Sequence, residues 1–147
     1  MKSFLKSIPI VICLAIAQPA CGLLGPKDPT AIAQEVAPVV FDDLVLTFDL
    51  LDAALARYIG SSDSIMGIEE ILQLKADVEH LVAARDDLKL MKEMLDGTKP
   101  FKLANFRTAT ADCVKNLNLV VESLKSYGVY VPTTVTNTLD MASKVLG

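Results

Sequence analysis

The sequence lacks tryptophan, and among its 147 residues it has a single histidine, His80, and only three cysteines. One histidine excludes a metal centre built from several histidines, and three cysteines are too few for a disulfide-dense scaffold. Positive charge is also scarce, because 14 Lys and Arg side chains stand against 18 Asp and Glu, a formal charge of −4. A chain without a cationic surplus is poorly suited to neutralising phosphates, so we expect no nucleic-acid partner.

Catalytic motifs are missing as well, since the sequence has no serine-centred glycine elbow, no phosphate-cradling glycine loop and no Cys-x-x-Cys pair. The nearest approach to a metal or acid–base motif is Asp77 and His80, three residues apart on a predicted helix. Di-iron bundles need a Glu-x-x-His from each of two helices, which one histidine cannot supply. His80 lies opposite Ile71 and Val78 on a helical wheel, so we expect it to face solvent. We predict that the protein is not an enzyme and holds no metal and no cofactor.

What the sequence does contain is apolar residues, at 52% of the chain against 22% charged, which indicates a folded domain. At the start, Lys2 and Lys6 precede the uncharged apolar run 8–17. That run is too short to cross a bilayer as a helix, which takes about 20 residues. A basic start and a short apolar core are typical of a secretory signal. We predict that residues 1–20 are a signal peptide, with an uncleaved N-terminal anchor as the alternative.

The segment after this run ends in Ala20, Cys21 and Gly22. It resembles the lipobox of bacterial lipoproteins, although Gln18 stands where that pattern usually has an aliphatic residue. The resemblance covers only the first 22 residues. It implies cleavage before Cys21, a diacylglycerol on the Cys21 sulfur and, from Gly22, delivery to the outer membrane facing the periplasm. The alternative is ordinary cleavage after Ala17, which would leave a soluble periplasmic or secreted protein.

The remaining chain divides into a predicted tether and a predicted helical domain. Residues 21–38 are rich in glycine and proline, and Pro38 lacks the N–H that a helix interior needs. Asp28 and Pro29 could form a first helical turn within this tether, as N-cap and first helical residue. In residues 39–147, apolar side chains recur at helical spacing. We predict an all-α fold, an up-down antiparallel three-helix bundle with a short fourth C-terminal helix. The predicted helices cover residues 39–59, 64–96, 100–127 and 134–146.

The second predicted helix carries a stripe with seven-residue spacing, which is typical of left-handed, coiled-coil-like packing. The stripe consists of Ile71, Leu74, Val78, Leu81, Leu88 and Leu95. Arg85 and Lys92 interrupt it at core-type positions. Either their aliphatic stems pack while their charged ends reach solvent, or they pair with the acidic first helix.

Cys113 lies at the centre of the apolar stripe of the third predicted helix. We predict a buried thiol that packs as a small hydrophobic side chain. No histidine is placed to activate it, so we expect no nucleophilic catalysis. If Cys21 is not lipidated, a Cys21–Cys113 disulfide is the alternative in an oxidising compartment.

The first predicted helix has two further surfaces that could bind a partner. Its polar arc carries four carboxylates, which we interpret as a solvated face or as a docking surface for a basic partner: Asp42, Asp43, Asp49 and Asp52. Beside the main apolar stripe lies a second one, consisting of Val39, Leu46, Leu50 and Ala53. A helix in a three-helix bundle needs only one apolar face. The second stripe is therefore covered by the C-terminal helix or by residues 30–36 folding back, or it binds a partner helix or a second copy.

These features predict a membrane-anchored envelope lipoprotein that acts without catalysis, as a protein-interaction or assembly component. Its contacts would be the membrane, through the N-terminal lipid, and an unidentified protein or a homo-oligomer, through the first helix. The alternative is a secreted or anchored inhibitor, immunity or exclusion factor that blocks another protein. A carrier of apolar ligands would need a large cavity between the helices, which a sequence does not reveal.

Overall fold

The computed structural model describes residues 28–61 and 66–146, and within these ranges it is entirely helical, without a strand. This confirms the prediction of an all-α helical bundle. Its elements are α1 (Pro29–Ser61), α2 (Ile68–Leu95), α3 (Leu103–Ser126) and α4 (Thr133–Leu146). The predicted signal peptide and Cys21 lie outside the described residues.

The first helix begins ten residues earlier than the sequence predicted. Asp28 starts it, because its Oδ1 accepts a hydrogen bond from the Thr30 N–H at 3.3 Å and Pro29 occupies the first helical position. The prediction that residues 29–38 belong to a tether is wrong. Pro38 lies inside the helix with its ring exposed to solvent, and three apolar side chains ahead of it are buried: Ala33, Val36 and Ala37. Their burial offsets the one hydrogen bond that proline removes.

The ends of α2 and α3 follow glycine chemistry. Gly97 and Gly128 have φ angles of 85° and 77°, in the left-handed region where glycine has no steric penalty. After α2, the Asp96 carboxylate accepts hydrogen bonds from the Thr98 N–H at 3.0 Å and from its hydroxyl at 2.6 Å. These bonds lower the pKa of Asp96 and close the turn that leads to α3.

The core lies around α3, which contacts each of the other three helices and shares its most extensive interface with α2. Within the described residues, α2 and α4 do not contact each other. The short helix α4 closes the core with an apolar stripe at helical spacing, every member of which is buried: Val135, Leu139, Ala142 and Leu146. The largest fully buried apolar side chains come from all four helices: Phe106, Leu44, Leu51, Met91, Leu117, Leu124 and Leu139.

Helix α2 is rotated relative to the prediction. Ile71 and Val78 are exposed, and so are Arg85 and Lys92, which do not lie in the core and form no salt bridge among the described residues. The buried stripe still has heptad spacing but uses the preceding positions: Leu74, Asp77, Leu81, Ala84, Leu88 and Met91. Both rotations bury Leu74, Leu81 and Leu88. The observed one keeps two cations in water and buries a single carboxylate, which has hydrogen-bond partners.

Candidate functional site

The second stripe of α1 is only partly covered in the structure. Val39 and Leu46 are half-buried, whereas Leu50 and Ala53 are exposed. Residues 30–36 do not fold back over this stripe, because they belong to α1 itself. The structure therefore leaves the C-terminal half of the stripe open to solvent.

The acidic arc of α1 is smaller than predicted, because Asp43 is buried. Burial and the neighbouring Asp42 carboxylate raise the pKa of Asp43 to about 6. Asp43 is therefore not a docking residue on a solvated face, as the sequence suggested. Asp42, Asp49 and Asp52 remain exposed along the helix.

A further apolar surface lies on the opposite flank of α1, in a groove of about 280 Å³ between α1 and α2. We call it the α1–α2 groove. Its apolar walls are Phe48, Leu55, Ala56 and Ile59 of α1 and Val78, Leu81 and Val82 of α2. One charged side chain from each helix also lines it, Asp52 from α1 and Arg85 from α2. Ile59, Val78 and Val82 are 43%, 45% and 40% exposed, which is unusual for branched aliphatic residues that lie together.

The apolar surface continues beyond the groove along α2. Ile71 lies seven residues before Val78 and therefore on the same helix face, and it is more than half exposed. Ile68 precedes Ile71 by three residues and is exposed by 75%. This surface was not predicted from the sequence, because the predicted apolar stripe of the second helix put Ile71 and Val78 in the core. The seven-residue spacing alone fits either rotation of α2.

A polar cluster around the buried Asp77 fixes that rotation. Asp77 is fully buried, and its Oδ2 accepts a hydrogen bond from the Tyr127 hydroxyl at 2.5 Å. The amide of Gln73 donates to Asp77 Oδ1 at 3.2 Å and to Ser123 Oγ at 3.0 Å. The Tyr127 ring stacks on Tyr58 of α1 with centroids 4.6 Å apart and an angle of 6° between the rings. The hydrogen bonds thus join α2 to the C-terminal end of α3, and the stacked rings extend the contact to α1, so that the α2 side of the groove is held in place.

His80 is also placed differently from the prediction. It is half-buried between α2 and α3, with its Nδ1 3.1 Å from Asn116 Oδ1. The prediction that His80 faces solvent is therefore wrong. Two turns further along α2, burial, the Asp112 carboxylate across the interface and the neighbouring Asp86 raise the pKa of Asp87 to about 6. The α2–α3 interface therefore contains one polar pair, His80 with Asn116, and two carboxylates, Asp87 and Asp112, that repel each other.

Cys113 is fully buried and is a free thiol, as the sequence predicted for a small core side chain. Burial, with a smaller effect from Asp87, raises the pKa of the thiol to about 12. At neutral pH the group is therefore protonated and out of contact with solvent. The alternative disulfide with Cys21 involves a residue outside the described part of the chain.

Within residues 28–61 and 66–146, no three His, Cys, Asp or Glu side chains come together as a metal site. In the same ranges, the apolar length of every helix falls short of what a membrane crossing needs. Comparison of the chain with protein-family models, with curated proteins and with solved structures finds no match.

Proposed function

We propose that this protein is a lipid-anchored component of the bacterial envelope, most simply at the outer membrane facing the periplasm, and that it acts by binding a protein. The observation that carries the interaction is the α1–α2 groove, where Ile59, Val78 and Val82 are exposed together. Large exposed apolar surfaces on folded domains mark interaction sites, because leaving them in water is unfavourable.

We propose further that α1, α2 and α3 run up and down in an antiparallel bundle. The contacts between α2 and α3 support this arrangement, since Gln73 pairs with Ser123 and His80 pairs with Asn116. Moving forward along α2 thus corresponds to moving backward along α3.

The anchor depends on the resemblance of residues around Cys21 to a lipobox, and the early start of α1 changes its geometry. Only six residues lie between Cys21 and Asp28, so the two are at most about 25 Å apart at full extension. The groove lies much further along the molecule, because Pro29 and Leu55 are about 39 Å apart along α1. A protein partner at the groove would therefore bind well away from the lipid-linked end.

The anchor is tested by replacing Cys21 with serine in the full chain and fractionating the cells. We expect the variant to leave the membrane fraction or to remain unprocessed, while Cys113→Ala serves as the matched cysteine control and stays in the membrane. Intact mass of the wild-type protein from membranes distinguishes acylated Cys21 from cleavage after Ala17. Normal processing together with full membrane retention of Cys21→Ser would refute the anchor.

The interaction is tested with a photo-crosslinking amino acid in place of Val78, in living cells. The matched control carries the same amino acid at Lys115, an exposed position on α3. We expect adducts from position 78 and none from position 115. Equal yields from both positions, or no adduct from either, would refute an interaction surface at the groove.

The second candidate function is an inhibitor, immunity or exclusion factor. The observation that favours it is the exposed acidic arc of Asp42, Asp49 and Asp52, which could cover a basic site on another protein. Replacing Asp42, the member of the arc that does not border the groove, with asparagine separates the two functions. Loss of the position-78 adducts in this variant would favour a blocking factor bound through charge, and retention would favour binding through the apolar groove.

A further inference from the structure

We infer that the occupant of the α1–α2 groove is a second copy of this chain, bound by a two-fold axis parallel to the helices. The inference rests on the proposed role of the groove as an interaction surface and names its partner. It is carried by the charges that line the groove together with the apolar groups between them.

The two sides of the groove carry opposite charges. On α1, Asp52 lines the groove and Asp49 lies one turn before it. On α2, Arg85 lines the groove and Lys89 lies one turn after it. Within the described part of the chain, none of these four side chains forms a salt bridge, and all are exposed. The groove therefore has an acidic side and a basic side, and its charges are free to pair with a partner.

Such a surface is complementary to itself in one symmetric arrangement. A two-fold axis parallel to the helices places α1 of one copy opposite α2 of the other, so that Asp52 faces the partner's Arg85 twice. A two-fold axis perpendicular to the helices would place acidic sides together, which is repulsive. The same parallel arrangement covers Ile59, Val78 and Val82 of both copies, and excluding water strengthens the charge pairs beside them.

A partner of another kind would need different chemistry. A basic amphipathic helix would match Asp49 and Asp52 but would meet Arg85 and Lys89 on the other side of the groove. Like charges across an interface select against such a partner. A second copy carries both signs in the required positions, so the charge pattern favours it.

The experiment uses two differently tagged full-length copies expressed in one cell, with co-purification of one tag through the other as the readout. Wild-type copies are expected to co-purify. Asp52→Arg in both copies, or Arg85→Asp in both, creates two like-charge contacts and is expected to lower co-purification by about tenfold or more. Asp52→Arg in one copy with Arg85→Asp in the other restores two opposite-charge contacts, so co-purification is expected to return.

The matched control reverses two exposed charges on α3, with Glu122→Arg and Lys115→Asp, and is expected to leave co-purification unchanged. Circular dichroism verifies that each variant keeps its helix content. If a reversal lowers it, Asp52→Asn and Arg85→Gln replace the reversals, and each is expected to weaken co-purification without repulsion.

Three outcomes would overturn the inference: wild-type copies that do not co-purify, single reversals that co-purify fully, or reversed pairs that fail to recover. Failure of the proposed function is a different result. If copies do not co-purify but position 78 still forms adducts with another protein, the groove is an interaction surface and the second copy is wrong. If neither occurs, both proposals fail.

Discussion

Replacing Tyr127 with phenylalanine isolates the polar network that fixes the rotation of α2. The substitution keeps the ring that stacks on Tyr58 and removes only the hydroxyl that donates to Asp77 Oδ2. Asp77 is fully buried, so one of its oxygens loses a partner where water cannot replace it. A buried acceptor left unsatisfied costs about 2 kcal/mol. For a domain of this size, that corresponds to a fall in Tm of roughly 8 °C.

The assay is thermal and urea unfolding followed by circular dichroism at pH 7. Tyr130→Phe is the matched control, because Tyr130 is 79% exposed and the same change there is expected to leave stability within about 0.5 kcal/mol. If Tyr127→Phe is as stable as the control, the hydroxyl does not support the buried carboxylate, and the explanation for the rotation of α2 is wrong.

The same hydroxyl predicts a pH dependence. Burial and the bond to Asp77 raise the pKa of Tyr127 above its ordinary value of 10.0. A group with a raised pKa contributes its full stability below its unfolded pKa and loses it as pH rises through its folded pKa. Wild-type protein is therefore expected to lose more stability above pH 10 than Tyr127→Phe does, measured by urea unfolding. Parallel losses in the two proteins would contradict this role of Tyr127.

Substitutions at three further positions test other parts of the fold. Cys113→Ala is expected to cost about 1 kcal/mol, whereas Cys113→Asp buries an unpaired charge and is expected to abolish the helical circular dichroism signal. Asp43→Asn is expected to stabilise the protein at pH 7 and not at pH 3.5, measured by urea unfolding. The pKa of the buried Asp43 is raised from 3.8 to about 6, so ionising it is harder in the folded protein than in the unfolded chain. The wild type therefore loses stability as the pH rises from about 3.8 through 6. Pro38→Ala restores an N–H to a helix interior and is expected to add up to about 3 kcal/mol, and an unchanged Tm would contradict a continuous α1.

Local chemistry in the sequence was sufficient for the helix ends and for the faces of two helices. Gly97 and Gly128 stop α2 and α3 because only glycine enters the left-handed region without steric cost. The stripes around Cys113 on α3 and Leu139 on α4 are buried as their spacing predicted. In both helices the apolar residues form one clear face, so only one rotation of the helix about its axis buries all of them.

The N-terminal half of α1 shows where local chemistry was misleading. Pro38 is a helix breaker in isolation, so the sequence predicted a tether up to Pro38 and a first helix that starts at residue 39. In the folded chain, Ala33, Val36 and Ala37 reach the core only if the helix continues through the proline. The burial of these apolar side chains against the other helices therefore outweighs the local cost of proline and keeps the segment helical.

The sequence by itself determined that this chain is helical, where most helices end and which α3 and α4 residues form the core. It could not determine the rotation of α2. Leu74, Leu81 and Leu88 are buried in either rotation, and both Val78 and Arg85 on one side and Asp77 and Ala84 on the other repeat every seven residues. Tertiary structure decided between them, since Tyr127 and Gln73 satisfy the Asp77 carboxylate from 50 and four residues away. That rotation exposes the aliphatic side chains of α2 that form the groove. The surface that could bind a partner therefore follows from a buried hydrogen-bond network, which exists only once the helices have packed.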